Sequence, residues 1–218
     1  MCGVTEMKVS DAMQPGGDHA KRRLIVGISG ASGIVYGVRI LEALQSSDIE
    51  THLVVSNSAA LTLKYELDLP LGDLKALADV VYSNKDIGAA IASGSFVTEG
   101  MIIAPCSVKT MSGIATGYTD NLLSRSADVV LKERRRLVML LRETPLHLGH
   151  LRTACSITEM GGIVMPPVPA FYSKPQSLDE MVDHTVGRAL DLLGIDVGLV
   201  RRWKEADISA HCAETSLT

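Results

Sequence analysis

The stretch Arg23 to Leu41, RLIVGISGASGIVYGVRIL, decides the fold class. Arg23-Leu24-Ile25-Val26-Gly27-Ile28 is a short run rich in branched apolar side chains, as in a buried strand. A turn with Gly27, Gly30, Gly33 and Gly37 follows, and Ile34, Val38, Leu41 and Leu44 then fall at helical spacing. The glycines do not match the G-x-G-x-x-G spacing of dinucleotide sites. Glycine lets the backbone approach a ligand and adopt positive φ. A helix starting near Gly33 offers free N–H groups and a positive dipole end, and Ser29 and Ser32 add hydroxyls. The turn suits a phosphate or another ligand needing short polar contacts. The alternative is a strand–helix turn whose glycines only permit close packing.

Outward from this stretch, strands and helices alternate. His52-Leu53-Val54-Val55 predicts a second strand, and Ser56-Asn57-Ser58 caps a helix from Ala59 to about Leu67. Residues 68–98 are less regular, with a short strand at Asp79–Tyr82 and a Gly/Ala/Ser-rich loop from Ser83 to Phe96. Gly100–Pro105 is a strong strand, and Ser107 starts a helix running to about Ala115. Asn121–Arg134 is a helix, Leu137–Leu141 a strand, His147–Met160 a helix and Gly162–Met165 the last strand, stopped by Pro166-Pro167. Ser177-Leu178-Asp179-Glu180 opens the final helix with a capping-box pattern. Continuously apolar strands alternating with helices predict a doubly wound, mainly parallel α/β sheet with helices on both faces. Residues 1–21 have no hydrophobic period and are expected to be a disordered tail. One domain spans 22–204, and 205–218 form a C-terminal tail.

Composition narrows the function. The 218 residues are 46% apolar, enough for a real core, and the net charge of −4 gives no basic surplus for nucleic acid. No apolar run approaches the roughly 18 residues of a membrane helix, and the N-terminus lacks a signal-peptide core, so a cytoplasmic protein is expected. Cys2, Cys106, Cys155 and Cys212 form no C-x-x-C pair and join no His cluster at metal spacing, so no metal site is expected.

Polar clusters follow the predicted strands, and the carboxyl ends of parallel strands converge on one edge. They are Ser29–Gly33, Ser56-Asn57, Cys106–Thr110, Arg142–Pro145 and Tyr172. Ser107 and Thr110 are a ligand contact or an ordinary N-cap. Cys106 has no adjacent His and reads as a buried structural thiol. Lys132 and Arg125 lie seven apart, on one helix face, where both could meet an anion. Arg142 and Glu143 are either site residues or a structural ion pair. His147, His150 and His184 read as structural or surface residues.

The segments GISGASGIVYGVRILEAL, APCSVKTMSGIATGYTDNLLSRSADVVLKERRRLVMLLRETP and GGIVMPPVPAFYSKPQSLDEMVDHTVGRALDLLGI together resemble the UbiX-type flavin prenyltransferases, from about Arg22 to Trp203. The resemblance implies a flavodoxin-like Rossmann domain that binds reduced FMN as a substrate. A dimethylallyl group passes from dimethylallyl phosphate to flavin N5 and C6, closing a fourth ring without a metal. The prenylated FMN then serves a UbiD-type decarboxylase.

The resemblance also implies the site. Gly30, Ala31 and Ser32 match the FMN turn, and Ser56, Ser107, Val108, Lys109, Thr110 and Arg125 match further flavin contacts. Lys132, Arg142, Tyr172 and Arg188 match the groups around the substrate phosphate. Ser32, Glu66, Lys132 and Glu143 match catalytic positions, with Glu143 handling a proton. A homo-oligomer with shared sites is implied, a dodecamer being one candidate size. Some relatives carry a tryptophan where this chain reads Asn84-Lys85-Asp86-Ile87-Gly88. The competing readings are an FMN-dependent cysteine decarboxylase and a non-catalytic flavin-binding subunit of a decarboxylase system.

Overall fold

The computed structural model describes residues 21–200 and 202–203. The tails expected at 1–21 and 205–218 lie outside these residues, apart from Lys21. Among these residues six strands form one sheet: β1 (Arg22–Ile28), β2 (Ile49–Val55), β3 (Val80–Tyr82), β4 (Gly100–Cys106), β5 (Arg136–Leu141) and β6 (Ile163–Val164). Among the described residues, seven helices connect or flank them: α1 (Ile34–Leu44), α2 (Asn57–Glu66), α3 (Leu71–Ala76), α4 (Val108–Ala115), α5 (Leu122–Lys132), α6 (Leu148–Glu159) and α7 (Leu178–Asp191). Every strand pair is parallel, in the order β3-β2-β1-β4-β5-β6. The chain winds outward from β1 to β3, then returns to place β4 on the other side of β1. The connections diverge between β1 and β4, where such sheets bind ligands.

Alternation along each strand feeds two cores. Leu24, Val26, Ile28, Ile102, Ala104, Val138 and Leu140 face α1, α2, α3 and α7. Ile25, Met101, Ile103, Leu137 and Met139 face α4, α5 and α6. Strands buried on both faces read as unbroken apolar runs. The Cys106 thiol is buried within the second core, and burial pushes it up to about 12, as befits a structural thiol.

Three local expectations need correction, and the 83–96 loop gains detail. Helix α3 was not foreseen; it is only six residues long, starts after Pro70 and buries Leu74 alone. Helix α5 ends at Lys132 because Arg134 takes a left-handed φ of 58°. Arg135 N–H then bonds Val130 C=O and Arg134 N–H bonds Leu131 C=O, a Schellman closure without glycine. The Glu180 carboxylate takes the Gln176 N–H instead of closing the box on Ser177. The 83–96 segment is pinned: Ile91 is buried in a short 3-10 turn, Phe96 packs edge-on against His52, and Arg135 donates to Gly94 and Phe96 carbonyls.

Candidate active site

The carboxyl edge of the sheet opens into one cleft of about 1200 Å³. Along the edge it is lined by Asn84 and Lys85 after β3, Ser56–Ser58 after β2 and Gly30–Ser32 after β1. Ser107–Thr110 follow β4, Arg142–Thr144 follow β5 and Pro166–Val168 follow β6. Further residues of α4, with Tyr118, Asp120, Asn121, Leu123 and Ser124, complete the lining. Strand-end convergence therefore brings together Gly30, Ala31, Ser32, Ser56, Ser107, Val108, Lys109, Thr110, Arg142 and Glu143.

The glycine turn divides its two serines. Ser29 is buried: its hydroxyl donates to Pro105 C=O at 2.8 Å and accepts from Ser107 N–H at 2.8 Å. It fastens β1 to β4 across the divergence point and is not a ligand donor. Ser32 is exposed in the cleft, and its hydroxyl helps hold the Glu66 carboxylate ionised. Glycine is required at Gly30 because a Cβ there would lie 2.2 Å from the Ser58 Cβ. Gly33 caps α1 with a φ of 103°.

The N–H groups expected to be free at the start of α1 are already bonded. The two Glu66 oxygens accept from Gly33 N–H at 2.9 and 3.1 Å, and one accepts from Ile34 N–H at 2.9 Å. Burial by itself pushes the Glu66 carboxyl up. The Ser32 hydroxyl, the two N–H groups and the nearby Arg142 charge outweigh it and hold the group below its usual value. Helix α5 is closed likewise: Leu122 and Leu123 N–H bond the backbone and side-chain oxygens of Asn84, and Ser124 N–H bonds Asn121.

Helices α2 and α4 differ. Ser56 and Ser107 each cap one N–H, of Ala59 and Thr110. Among the described residues, the Asn57, Ser58, Val108 and Lys109 N–H groups, all on cleft-lining residues, have no partner. Two of the four helix N-termini at the cleft thus keep unsatisfied donors and a positive dipole end for an anion.

Five expected site residues do not line the cleft. Glu66 stands behind Ser32. Arg125 pairs with Asp128 at 2.8 Å. Lys132 pairs with Glu133 at the other end of α5, roughly 16 Å of helix from its cleft end. Within one chain, each of the two cations meets a carboxylate close in sequence rather than the cleft. Tyr172 and Arg188 belong to a separate cluster on α7, where the Tyr172 hydroxyl lies 3.2 Å from His184 Nε2 and Arg188 pairs with Asp191 at 2.9 Å. Burial foremost, then the Arg188 charge, pushes His184 below its usual value. The alternative ion pair of Arg142 with Glu143 does not form: Arg142 Nε donates to Ser32 C=O at 3.0 Å, and Glu143 accepts from Thr144 N–H at 3.0 Å.

Sequence reading missed Ser58, Lys85, Tyr118, Asp120 and the 166–168 segment as cleft residues. Lys85 was legible in principle, three residues beyond Tyr82 at a strand's carboxyl end. Among the described residues, no group of acidic, histidine or cysteine side chains could hold a metal ion. No helix there is long and apolar enough to cross a membrane.

A doubly wound sheet whose divergence point opens into a polar cleft with free helix N-termini defines a nucleotide-binding α/β protein. The family described as Flavoprotein matches residues 13–189. The flavin prenyltransferase UbiX of Escherichia coli (strain K12) is 58% identical over 188 residues, covering 85% of this chain and all of that protein. The crystal structure of AnUbiX (PadA1) in complex with FMN and dimethylallyl pyrophosphate superposes with a TM-score of 0.83 at 48% identity, covering 84% of this chain and 97% of that one. A dodecameric FMN-dependent UbiX-like decarboxylase from Escherichia coli O157:H7 gives a TM-score of 0.81 at 47% identity, covering 83% of this chain and 98% of that one. The chain belongs to the UbiX flavin prenyltransferase family.

Proposed function

We propose that this protein transfers a dimethylallyl group from dimethylallyl phosphate to N5 and C6 of reduced FMN, without a metal, and supplies prenylated FMN to a UbiD-type decarboxylase. We place it in the cytoplasm as a homo-oligomer, with residues 22–204 as its flavoprotein domain. The observation that carries this reading is the cleft together with membership of the family.

The residues present fit FMN. Val108, Leu123, Leu141 and Pro166–Val168 supply apolar walls for a flat ring, while the hydroxyls of Ser32, Ser56, Ser107 and Thr110 suit its polar edge. The open starts of α2 and α4 suit a phosphate. When bound, reduced flavin supplies the nucleophilic nitrogen and carbon and a π face for the allylic cation.

In this reading Gly30, Ala31, Ser32, Ser56, Ser107, Val108, Lys109 and Thr110 hold the flavin. Arg142 neutralises charge growing on the departing phosphate; losing one such donor costs about 2.7–4 kcal/mol in comparable sites. Glu66 fixes the Ser32 hydroxyl. Glu143, exposed in the cleft, has an oxygen beyond its Thr144 contact to accept the proton lost from C6, a role the departing phosphate could share. Arg125, Lys132, Tyr172 and Arg188 join from a neighbouring copy, which makes the sites shared. The cysteine decarboxylase alternative relies on a histidine, and none lines the cleft among the described residues.

Anaerobic incubation with reduced FMN and dimethylallyl phosphate should raise the flavin mass by one prenyl group; an unchanged mass sinks the proposal. Glu143→Gln should bind FMN normally yet form product at least 100-fold more slowly, within the range for a lost acid–base group. Unchanged turnover would remove Glu143 from the mechanism.

A further inference from the structure

None of the ion pairs among the described residues involves a cleft-lining side chain. The cleft cations Lys85, Lys109 and Arg142 therefore have no carboxylate partner within hydrogen-bonding reach. Arg142 is committed to one corner, where it holds the Ser32 carbonyl and faces Glu66. Lys85 lies beyond β3, four strand positions along the edge from β5, or about 19 Å in the pairing direction. The cleft thus has a positive pole at each end, with Lys109 between them at the start of α4.

The pole at Lys85 is built on anchored backbone. Neighbouring Asn84 grips two N–H groups of α5, and Lys85 N–H bonds Ser83 Oγ at 3.3 Å. Asp86, the adjacent acid, turns its carboxylate to Gly88 N–H at 3.2 Å. The next strand end carries Ser56 and Ser58 with the unpartnered Asn57 and Ser58 N–H groups. A cation beside an open helix start is the chemistry of a phosphate monoester site, whose ligand carries about −1.5 to −2 at neutral pH.

We propose that Lys85 grips the terminal phosphate of the flavin and makes the cleft select the mononucleotide over riboflavin. The proposal rests on the flavin occupying this cleft, and it leaves the Arg142 pole for the phosphate of the prenyl donor.

Calorimetric titration of the full-length chain with FMN and with riboflavin tests it, in wild type, Lys85→Ala and Lys85→Arg. Lys85→Ala should weaken FMN about 10-fold and leave riboflavin unchanged, as for loss of one charge-assisted bond. Lys85→Arg should keep most of the FMN affinity. Equal loss for both flavins, or no loss for FMN, overturns the proposal. So does unchanged FMN affinity with a raised KM for dimethylallyl phosphate, which would assign Lys85 to the other phosphate. Wild type binding neither flavin overturns both this proposal and the reading beneath it. Wild type that binds FMN but transfers no prenyl group sinks only the transferase reading.

Discussion

Ser29 and Ser32 stand three positions apart in one turn, and their chemistry differs completely. Ser29 is buried between Pro105 and Ser107, 76 and 78 residues away along the chain; Ser32 opens to the cleft. Local sequence presents both as small hydroxyls in a glycine turn. Only the docking of β4 beside β1 decides which one is consumed. Ser29→Ala leaves the Ser107 N–H without its partner and should cost about 1–3 kcal/mol of stability in urea unfolding. Ser32→Ala should stay within about 0.5 kcal/mol, as for other exposed positions. Equal costs for the two would show that the Ser29 clip has no special weight.

At the scale of elements, all six strands were legible: burial on both faces gives β1, β2, β4 and β5 a continuous apolar signature, and the partly exposed β3 and β6 show as short branched runs. The helices with an apolar repeat and a side-chain cap, α2, α4, α5 and α7, were legible too. Helix α3 lacks such a repeat. The closed start of α1 was illegible for another reason: its cap comes from Glu66, at the far end of α2 and 33 residues from Gly33. A carboxylate there is favoured by the helix dipole, so Glu66→Gln should cost about 0.5–1 kcal/mol at pH 7. Unfolded, the group titrates near roughly 4.3. Its folded value is lower, so the stabilisation is complete above that point and disappears as pH falls through the folded value. The wild-type advantage in thermal melting should therefore hold from pH 7 to 5 and close in stronger acid. A gap independent of pH would rule out the charge as its source.

Across the whole molecule, the residues matched to the site fall into two sets. Those on strand ends meet in the cleft. Lys132 on α5, and Tyr172 with Arg188 beside α7, lie elsewhere on the chain. Sequence shows that such residues exist, but not which copy of the chain would present them, since subunit geometry is a property of assembled surfaces. Under the shared-site reading, Lys132→Ala and Glu143→Gln impair different contributors. Mixed oligomers of the two variants, refolded together, should show prenyl transfer above either parent. Activity no higher than the parents would place both groups on one subunit.

The sheet ends in β3, of three residues, and β6, of two. Such short borders give another chain almost no ladder of free amides to extend, which removes the usual route to fibrous stacking. Copies are left to join through side-chain surfaces, where Leu148 and Leu151 on α6 stand 60% and 48% exposed. Joining of copies by extension of the sheet is thereby disfavoured.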